Sequence, residues 1–273
     1  MRHGPQEGPE GEWRMTQVRQ AAIPRATRAP GAPWRVSLLT HRPAAAEEFY
    51  GALFGWEFGP GPGRRARALL DGQEVAGIGQ SPPDRQFAAA WTPFFTSPDV
   101  DLTAHQVRLH GGTVAVGPLD SAGEGRTVVA ADPAGAVFGL GECTGPSAAP
   151  DEDGHGLPVW TELITYETGR VVRFYEAVCG YEREPGTDGL DRVTLRSAGR
   201  PAAALRGAGR AVLRDRGAHW LTHFRVTDVE WALARVAALG GRVREPARDT
   251  ASGRSATVAD PQGAVFAVLQ TPA

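Results

Sequence analysis

The chain has 273 residues, 41% of them hydrophobic and 22% charged, with a formal net charge of −2. That length suffices for two domains of ordinary size, each with its own core. The charge balance excludes a basic nucleic-acid-binding surface, and no apolar run approaches the roughly 20 residues of a membrane span. All 29 basic residues are arginine, so neither a Schiff-base lysine nor a lysine general base is available. The first residues lack the apolar centre of a signal peptide, and a cytoplasmic location is expected. Cys143 and Cys179 form no C-x-x-C motif; Cys179 falls on the apolar side of a predicted helix and is expected to be core.

Residues 1–33, rich in Pro, Gly, Glu and Arg, show no sustained periodicity and read as a disordered extension within which Met15 is a second possible start. Trp34 to Thr40 predicts a strand. Pro43 suits the first position of a helix running to Phe54, with Phe49/Leu53 and Tyr50/Phe54 stacked at i,i+4 and Gly55 ending it. Strands follow at 56–58, 65–70 and 74–79, the last two joined by the turn Asp71-Gly72. The same order then recurs. A strand is predicted over 91–96 and a helix over 100–110, capped by Asp99 and stopped by Gly111-Gly112. Strands at 113–116, 126–131 and 136–141 complete the unit.

A linker is expected at 143–157, where Gly, Pro and the acidic run Asp151-Glu152-Asp153 gather. Two further units follow. The third has a strand over 159–165, a helix over 168–179 ended by Gly180, and strands at 181–183, 190–196 and 201–206. The fourth has a strand over 218–226, a helix over 228–239 with Val229, Leu233 and Val236 on one face, and strands at 242–244, 255–259 and 264–269.

Whole phrases repeat at a distance of about 125–129 residues. Asp132-Pro133-Ala134-Gly135-Ala136-Val137-Phe138 returns as Asp260-Pro261-Gln262-Gly263-Ala264-Val265-Phe266. Gly125-Arg126-Thr127 returns as Gly253-Arg254-Ser255, and Phe49-Tyr50 with Gly55-Trp56 as Phe174-Tyr175 with Gly180-Tyr181. The chain is therefore a tandem duplication. Asp-Pro-x-Gly reads as a hairpin turn in which Asp bonds the backbone ahead of it.

These markers resemble the vicinal oxygen chelate superfamily, which includes glyoxalase I, extradiol dioxygenases and bleomycin-resistance proteins. The resemblance implies an α+β fold of two tandem domains, 34–142 and 158–270. Each would pair two βαβββ modules into a cup-shaped, mostly antiparallel eight-stranded sheet with ligand on its concave side. In metal-dependent members each module's first strand carries a ligand, and a Glu follows the turn Asp by seven residues. Carried over, the first-strand positions become Arg35, Thr92, Trp160 and Leu221, and the Glu positions become Gly139 and Ala267. None of the six suits a divalent cation, so no cofactor is expected, although a metal at other positions stays open.

Strand alternation adds neighbours to the concave face: Ser37, Leu39, Ala90 and Phe94 in the first cup; Glu162, Ile164, His219 and His223 in the second. Arg35, Thr92, Phe94, Trp160, Glu162 and His223 are the expected ligand-binding residues. Glu162, His219 and His223 are the candidates for acid–base chemistry. The two histidines, four apart on a strand, have Cα atoms roughly 13 Å apart and are not expected to share an ion. A plainer reading pairs Glu162 with Arg196 or Arg225, and Arg35 with Glu142. Trp91 and Trp220 are further candidates for stacking on an aromatic ligand.

The expected function is binding of a small aromatic or apolar metabolite without the usual metal site. The alternative is a lyase, oxygenase or isomerase using displaced metal ligands or metal-free catalysis at Glu162, His219 and His223. A third possibility leaves the first cup a structural partner of the second. The expected partner is a small molecule, with no nucleic acid or membrane, in a monomer with paired domains or a homodimer.

Overall fold

The computed structural model describes residues 29–63, 65–82, 88–121, 125–142, 154–186, 191–211, 213–250 and 252–272. The first half runs β1 (Pro33–Thr40), α1 (Pro43–Phe54), β2 (Glu57–Pro60), β3 (Arg65–Leu70), β4 (Gln73–Gln80), β5 (Ala90–Thr96), α2 (Val100–Leu109), β6 (Thr113–Ser121), β7 (Gly125–Ala131) and β8 (Val137–Gly141). The second runs β9 (Pro158–Thr165), α3 (Thr168–Cys179), β10 (Glu182–Pro185), β11 (Arg192–Ser197), β12 (Arg200–Gly207), β13 (His219–Arg225), α4 (Val229–Ala238), β14 (Arg242–Thr250), β15 (Gly253–Ala259) and β16 (Val265–Gln270). Each half forms one eight-stranded sheet, ordered β2-β3-β4-β1-β5-β8-β7-β6 and β10-β11-β12-β9-β13-β16-β15-β14. Two βαβββ modules meet at an antiparallel seam, β1 with β5 and β9 with β13. The expected fold class holds.

Local chemistry explains the helix boundaries. Gly55 and Gly180 take φ of 75° and 69° directly after α1 and α3, a left-handed turn that a side chain resists, and each returns its amide to the helix's last turn. Asp99 and Asp228 accept the amides of Leu102 and Trp231 at 2.9 and 3.0 Å and start α2 and α4. The repeated Gly-Arg phrase also has a structural cause. Arg126 bridges Asp101 on α2 to Asp120 on β6, and Arg254 bridges Glu230 on α4 to Asp249 on β14.

Strands β6 and β14 extend well beyond the four and three residues expected of them. Both are edge strands interrupted by register shifts, and Pro118 and Pro246 lie within them. Proline reads as a strand breaker in sequence, yet an edge strand tolerates it because one side of its backbone meets no neighbour.

The cores differ from expectation: they are not one per half. One cluster joins the first module to the fourth, packing Phe49, Tyr50, Leu53, Phe54 and Trp56 with Phe224, Val236, Val258 and Phe266. The other joins the second to the third, packing Phe95, Val107, Phe138 and Leu140 with Phe174, Tyr175 and Leu195, with Trp220 of the fourth beside them. Helix α1 lies against α4, and α2 against α3. The convex faces of the sheets therefore bury each other, and the concave faces point outward. Cys179 lies in the second cluster, where burial pushes its thiol up to about 12; Cys143 and Met15 lie outside the described residues.

Short segments ahead of each half are bound into the other. Tyr181 donates to the carbonyl of Gly31 at 2.5 Å and Ser197 to that of Pro30 at 2.6 Å, so residues 29–33, expected at the end of the extension, are held by the second half. In matching fashion Trp56 Nε1 donates to the carbonyl of Gly156 at 3.1 Å, and Leu157 sits in the first core. Residues 154–157, expected at the end of the linker, are thus packed; residues 143–153 lie outside the described set.

Candidate functional site

Alternation along the central strands sends Val36, Leu38, Trp91 and Phe95 into the core and Arg35, Ser37, Thr92 and Phe94 to the concave side of the first sheet. In the second sheet Leu163, Trp220 and Phe224 go to the core, leaving Trp160, Glu162, Ile164, His219, Leu221 and His223 on the concave side. Trp91 and Trp220 are thereby removed as ligand platforms. Each is buried and donates its indole N–H to a core tyrosine, Trp91 to Tyr50 at 2.9 Å and Trp220 to Tyr175 at 3.1 Å.

Strand register shows which concave residues stand side by side. In the first cup Arg35 on β1 faces Phe94 on β5, which faces Gly139 on β8. In the second, Trp160 on β9 faces His223 on β13, which faces Ala267 on β16. The first-strand positions carried over for the second and fourth modules, Thr92 and Leu221, thus lie two residues from these rows, and the row members are Phe94 and His223. A one-sequence count sets no register between strands that are far apart in the chain.

The first row is filled by its own side chains. The Arg35 guanidinium carbon lies 4.6 Å from the Trp34 ring centre and 4.5 Å from that of Phe94. Gly139 and Gly141 provide the room: a Cβ on Gly139 would stand 2.2 Å from Phe94, and one on Gly141 2.0 Å from Trp34. Beside the row, Arg65 Nη2 donates to Ser37 Oγ at 3.3 Å. Glu142, the acid expected near Arg35, accepts the amide of Val100 at 3.2 Å and so helps start α2. Further along this concave face Val116, Leu119 and Val137 are exposed.

The second cup is more polar at its centre. Glu162 is 7% exposed, with Arg206 Nε 3.1 Å from Oε2 and Arg192 Nη2 3.6 Å from Oε1. The expected partners are corrected: Arg196 binds Glu184 and the carbonyl of Gly199, and Arg225 donates to Thr271. The pairing with Arg206 follows from strand order, since β12 lies parallel to β9 with Ala204 opposite Glu162, placing Arg206 one pleat away. Sequence reading missed both arginines because β12, and β11 beyond it, stand beside β9 in the sheet but not next to it in the chain.

His223 is half-buried, but its Nε2 is shut from solvent and has no hydrogen-bond partner among the described residues. Burial holds its pKa down to about 4, with Arg206 and Arg192 pushing the same way and Glu162 opposing, so the ring is neutral near pH 7. His219, one pleat beyond Leu221, donates Nδ1–H to the carbonyl of Gly217 at 2.9 Å, and burial lowers its pKa. Leu213, from the segment between β12 and β13, closes over Ile164, Leu221, Val265 and Ala267 and gives this cup an apolar roof. Glu162 and His223 are thus brought together, with Trp160 beside His223, while His219 stands apart.

The donor set does not match the metal site implied by the resemblance. The row holds one imidazole, an indole and a methyl group, and the nearby carboxylate already faces two guanidiniums. Among the described residues no group of three His, Cys, Asp or Glu side chains is placed to hold an ion. No helix of these residues is long and apolar enough to cross a membrane.

A family model described as the glyoxalase-like domain matches residues 161–269. The anthracycline biosynthesis protein DnrV of Streptomyces peucetius is 33% identical over 267 residues, covering 89% of this chain and 94% of that protein. This chain belongs to the glyoxalase-like, vicinal oxygen chelate superfamily. The CFP32 protein of Mycobacterium tuberculosis, which carries a provisional glyoxylase name, is another relative, 32% identical over 250 residues and 88% of this chain, 95% of its own. Among solved structures, the Mn(II)-bound glyoxalase of Novosphingobium aromaticivorans shares the fold with a TM-score of 0.61 at 17% identity, over 89% of this chain and 83% of that one. The vicinal oxygen chelate scaffold is therefore kept in both halves.

Proposed function

We propose that this protein binds a small aromatic or apolar molecule in the concave face of its sheets without a divalent metal. The observation that carries the reading is the Trp160–His223–Ala267 row beside a Glu162 held by Arg206 and Arg192. A cation placed there would meet one good donor and two like charges. The apolar surface of Val116, Leu119 and Val137 in the first cup, and the Leu213 roof in the second, suit a ligand with an extended apolar body. A relative named for anthracycline biosynthesis agrees with an aromatic ligand class. Metal analysis of protein purified without chelator tests this directly. Substoichiometric metal, with saturable binding of a bicyclic aromatic probe, is expected; one ion per chain, lost in Glu162→Gln or His223→Gln, overturns it.

One observation favours a second reading, metal-free acid–base catalysis in the same cup. His223 offers a neutral imidazole whose Nε2 is not engaged by the described residues. Such a group can take a proton from a bound molecule while Arg206 and Arg192 stabilise the anion left behind. Glu162, clamped by both arginines, would orient them and would not itself act as base. Turnover of an identified substrate that survives in His223→Phe would end this reading.

A further inference from the structure

We infer that the second cup recognises an acidic hydroxyl of its ligand, a phenol or an enol, through Nε2 of His223. This rests on the binding reading above and names the chemical group that the site selects.

The motivation is a buried ring nitrogen that the described residues leave without a hydrogen-bond partner. Polar atoms shut from water are nearly always paired, because an unpaired one keeps the full cost of its lost hydration. His223 Nε2 is such an atom, with no partner among the described residues. Its ring stands on the concave floor between Trp160 and Ala267. On one side Leu213 closes over Leu221 and Ala267 with Ile164 and Val265, an apolar wall. On the other stand the charged groups acting on the ring, Glu162, Arg206 and Arg192.

Charge and tautomer together select the ligand group. With the ring hydrogen assigned to Nδ1 as part of this inference, the neutral imidazole presents Nε2 as an acceptor. A carboxylate or a ketone brings no hydrogen to it, and an ammonium would meet the two guanidiniums. An acidic hydroxyl fits both demands. It donates its hydrogen to Nε2, and the negative charge drawn onto its oxygen lies near the Arg206 and Arg192 guanidiniums that also hold Glu162.

Binding of 2-naphthol and of 2-methoxynaphthalene to the full chain, followed by naphthalene fluorescence at pH 7.5, tests the assignment. The two probes share the same ring system, and only the first has a hydroxyl hydrogen. The wild type is expected to bind 2-naphthol at least tenfold more tightly, and His223→Phe to bind both alike. Equal affinities in the wild type, or a preference that survives His223→Phe, overturn the inference while leaving aromatic binding intact. Failure of both probes to bind overturns the binding reading as well. Should the variant not fold, the imidazole ¹⁵N signals of the wild type decide. A shift of His223 Nε2 on adding 2-naphthol and not 2-methoxynaphthalene supports the assignment, and no shift overturns it.

Discussion

Tyr50 on α1 donates its hydroxyl to Asp260 Oδ2 at 3.1 Å, joining residues 210 positions apart in the chain. Tyr175 makes the matching bond to Asp132 at 3.3 Å. Each Asp also turns its own hairpin: Asp260 Oδ1 accepts the amides of Gln262 and Ala264 at 2.8 and 2.9 Å, and Asp132 those of Ala134 and Ala136 at 2.8 and 3.0 Å. The repeated Asp-Pro-x-Gly phrase is therefore a turn as expected, and in addition the acceptor end of a Trp–Tyr–Asp relay crossing between the halves.

Removing one tyrosine hydroxyl strands two buried partners, an indole N–H and a carboxylate oxygen. Tyr50→Phe and Tyr175→Phe are each expected to cost about 2 kcal/mol of unfolding free energy. Because the relays lie in separate cores, the double variant is expected to lose about the sum. Urea midpoints with unchanged slopes check this; a loss within 0.5 kcal/mol of zero (on the scale of a neutral surface change) would mean the relay contributes nothing.

Two groups give stability an opposed pH dependence. Burial raises Asp132 from 3.8 to about 6, despite its hydrogen bonds. Between those values the folded protein holds one more proton than the unfolded chain, so this contribution weakens as pH rises. His223 falls from 6.5 to about 4. Between those values the folded protein holds one fewer proton, so its contribution strengthens as pH rises. Between pH 4.5 and 7 each effect is on the order of 2 kcal/mol, and they largely cancel. Denaturation at both pH values should show His223→Gln relatively more stable at pH 4.5 and Asp132→Asn relatively more stable at pH 7, each against its own wild-type difference. Parallel profiles for all three proteins would contradict the assignment.

Local chemistry was legible in the sequence, and sheet neighbourhood was not. Gly55, Gly180 and Asp99 mark helix ends because capping acts within a few residues, and they are where the sequence places them. Glu162 and His223 were legible as concave residues because alternation is also local. The partners Arg192 and Arg206, the Leu213 roof and the burial of Trp91 and Trp220 depend on which strands adjoin and which faces of the halves meet. The two-residue displacement from Leu221 to His223 has the same origin: alternation fixes a side chain's face and leaves its level along the strand free.

That level can be tested by building the missing site. Adjacent strands lie about 4.8 Å apart, so donors on β9, β13 and β16 at one level can converge on an ion. Trp160→His with Ala267→Glu, keeping His223, would place two imidazoles and a carboxylate in one row. This variant is expected to bind one Zn²⁺ or Mn²⁺ per chain, with the melting midpoint raised by metal. A control that places the second histidine at Leu221 and leaves Trp160 is expected to bind at least tenfold more weakly. Gly139→Glu in the first cup should only destabilise, since its Cβ would already stand 2.2 Å from Phe94. Equal metal binding by variant and control would refute the register argument.

The crossed cores make a stronger claim about assembly. A fragment of residues 154–272 contains all eight strands of its sheet but lacks what covers one side of both clusters, including Phe174, Tyr175, Phe224 and Phe266, all nearly solvent-free in the whole chain. It also loses Tyr50 as donor to Asp260, and it leaves Tyr175 without Asp132. Fully burying a side chain of this size contributes about 1.5–3 kcal/mol, so losing four such contacts, about 6–12 kcal/mol, is on the scale of the 5–15 kcal/mol margin of a typical domain. The fragment is therefore expected to lack a cooperative unfolding transition and a dispersed proton spectrum on its own. Mixed with a fragment of residues 29–142, it should regain both, since the surfaces that pair in the chain are complete in the mixture. A cooperative fold of the isolated fragment would show that the halves are independent domains that merely touch.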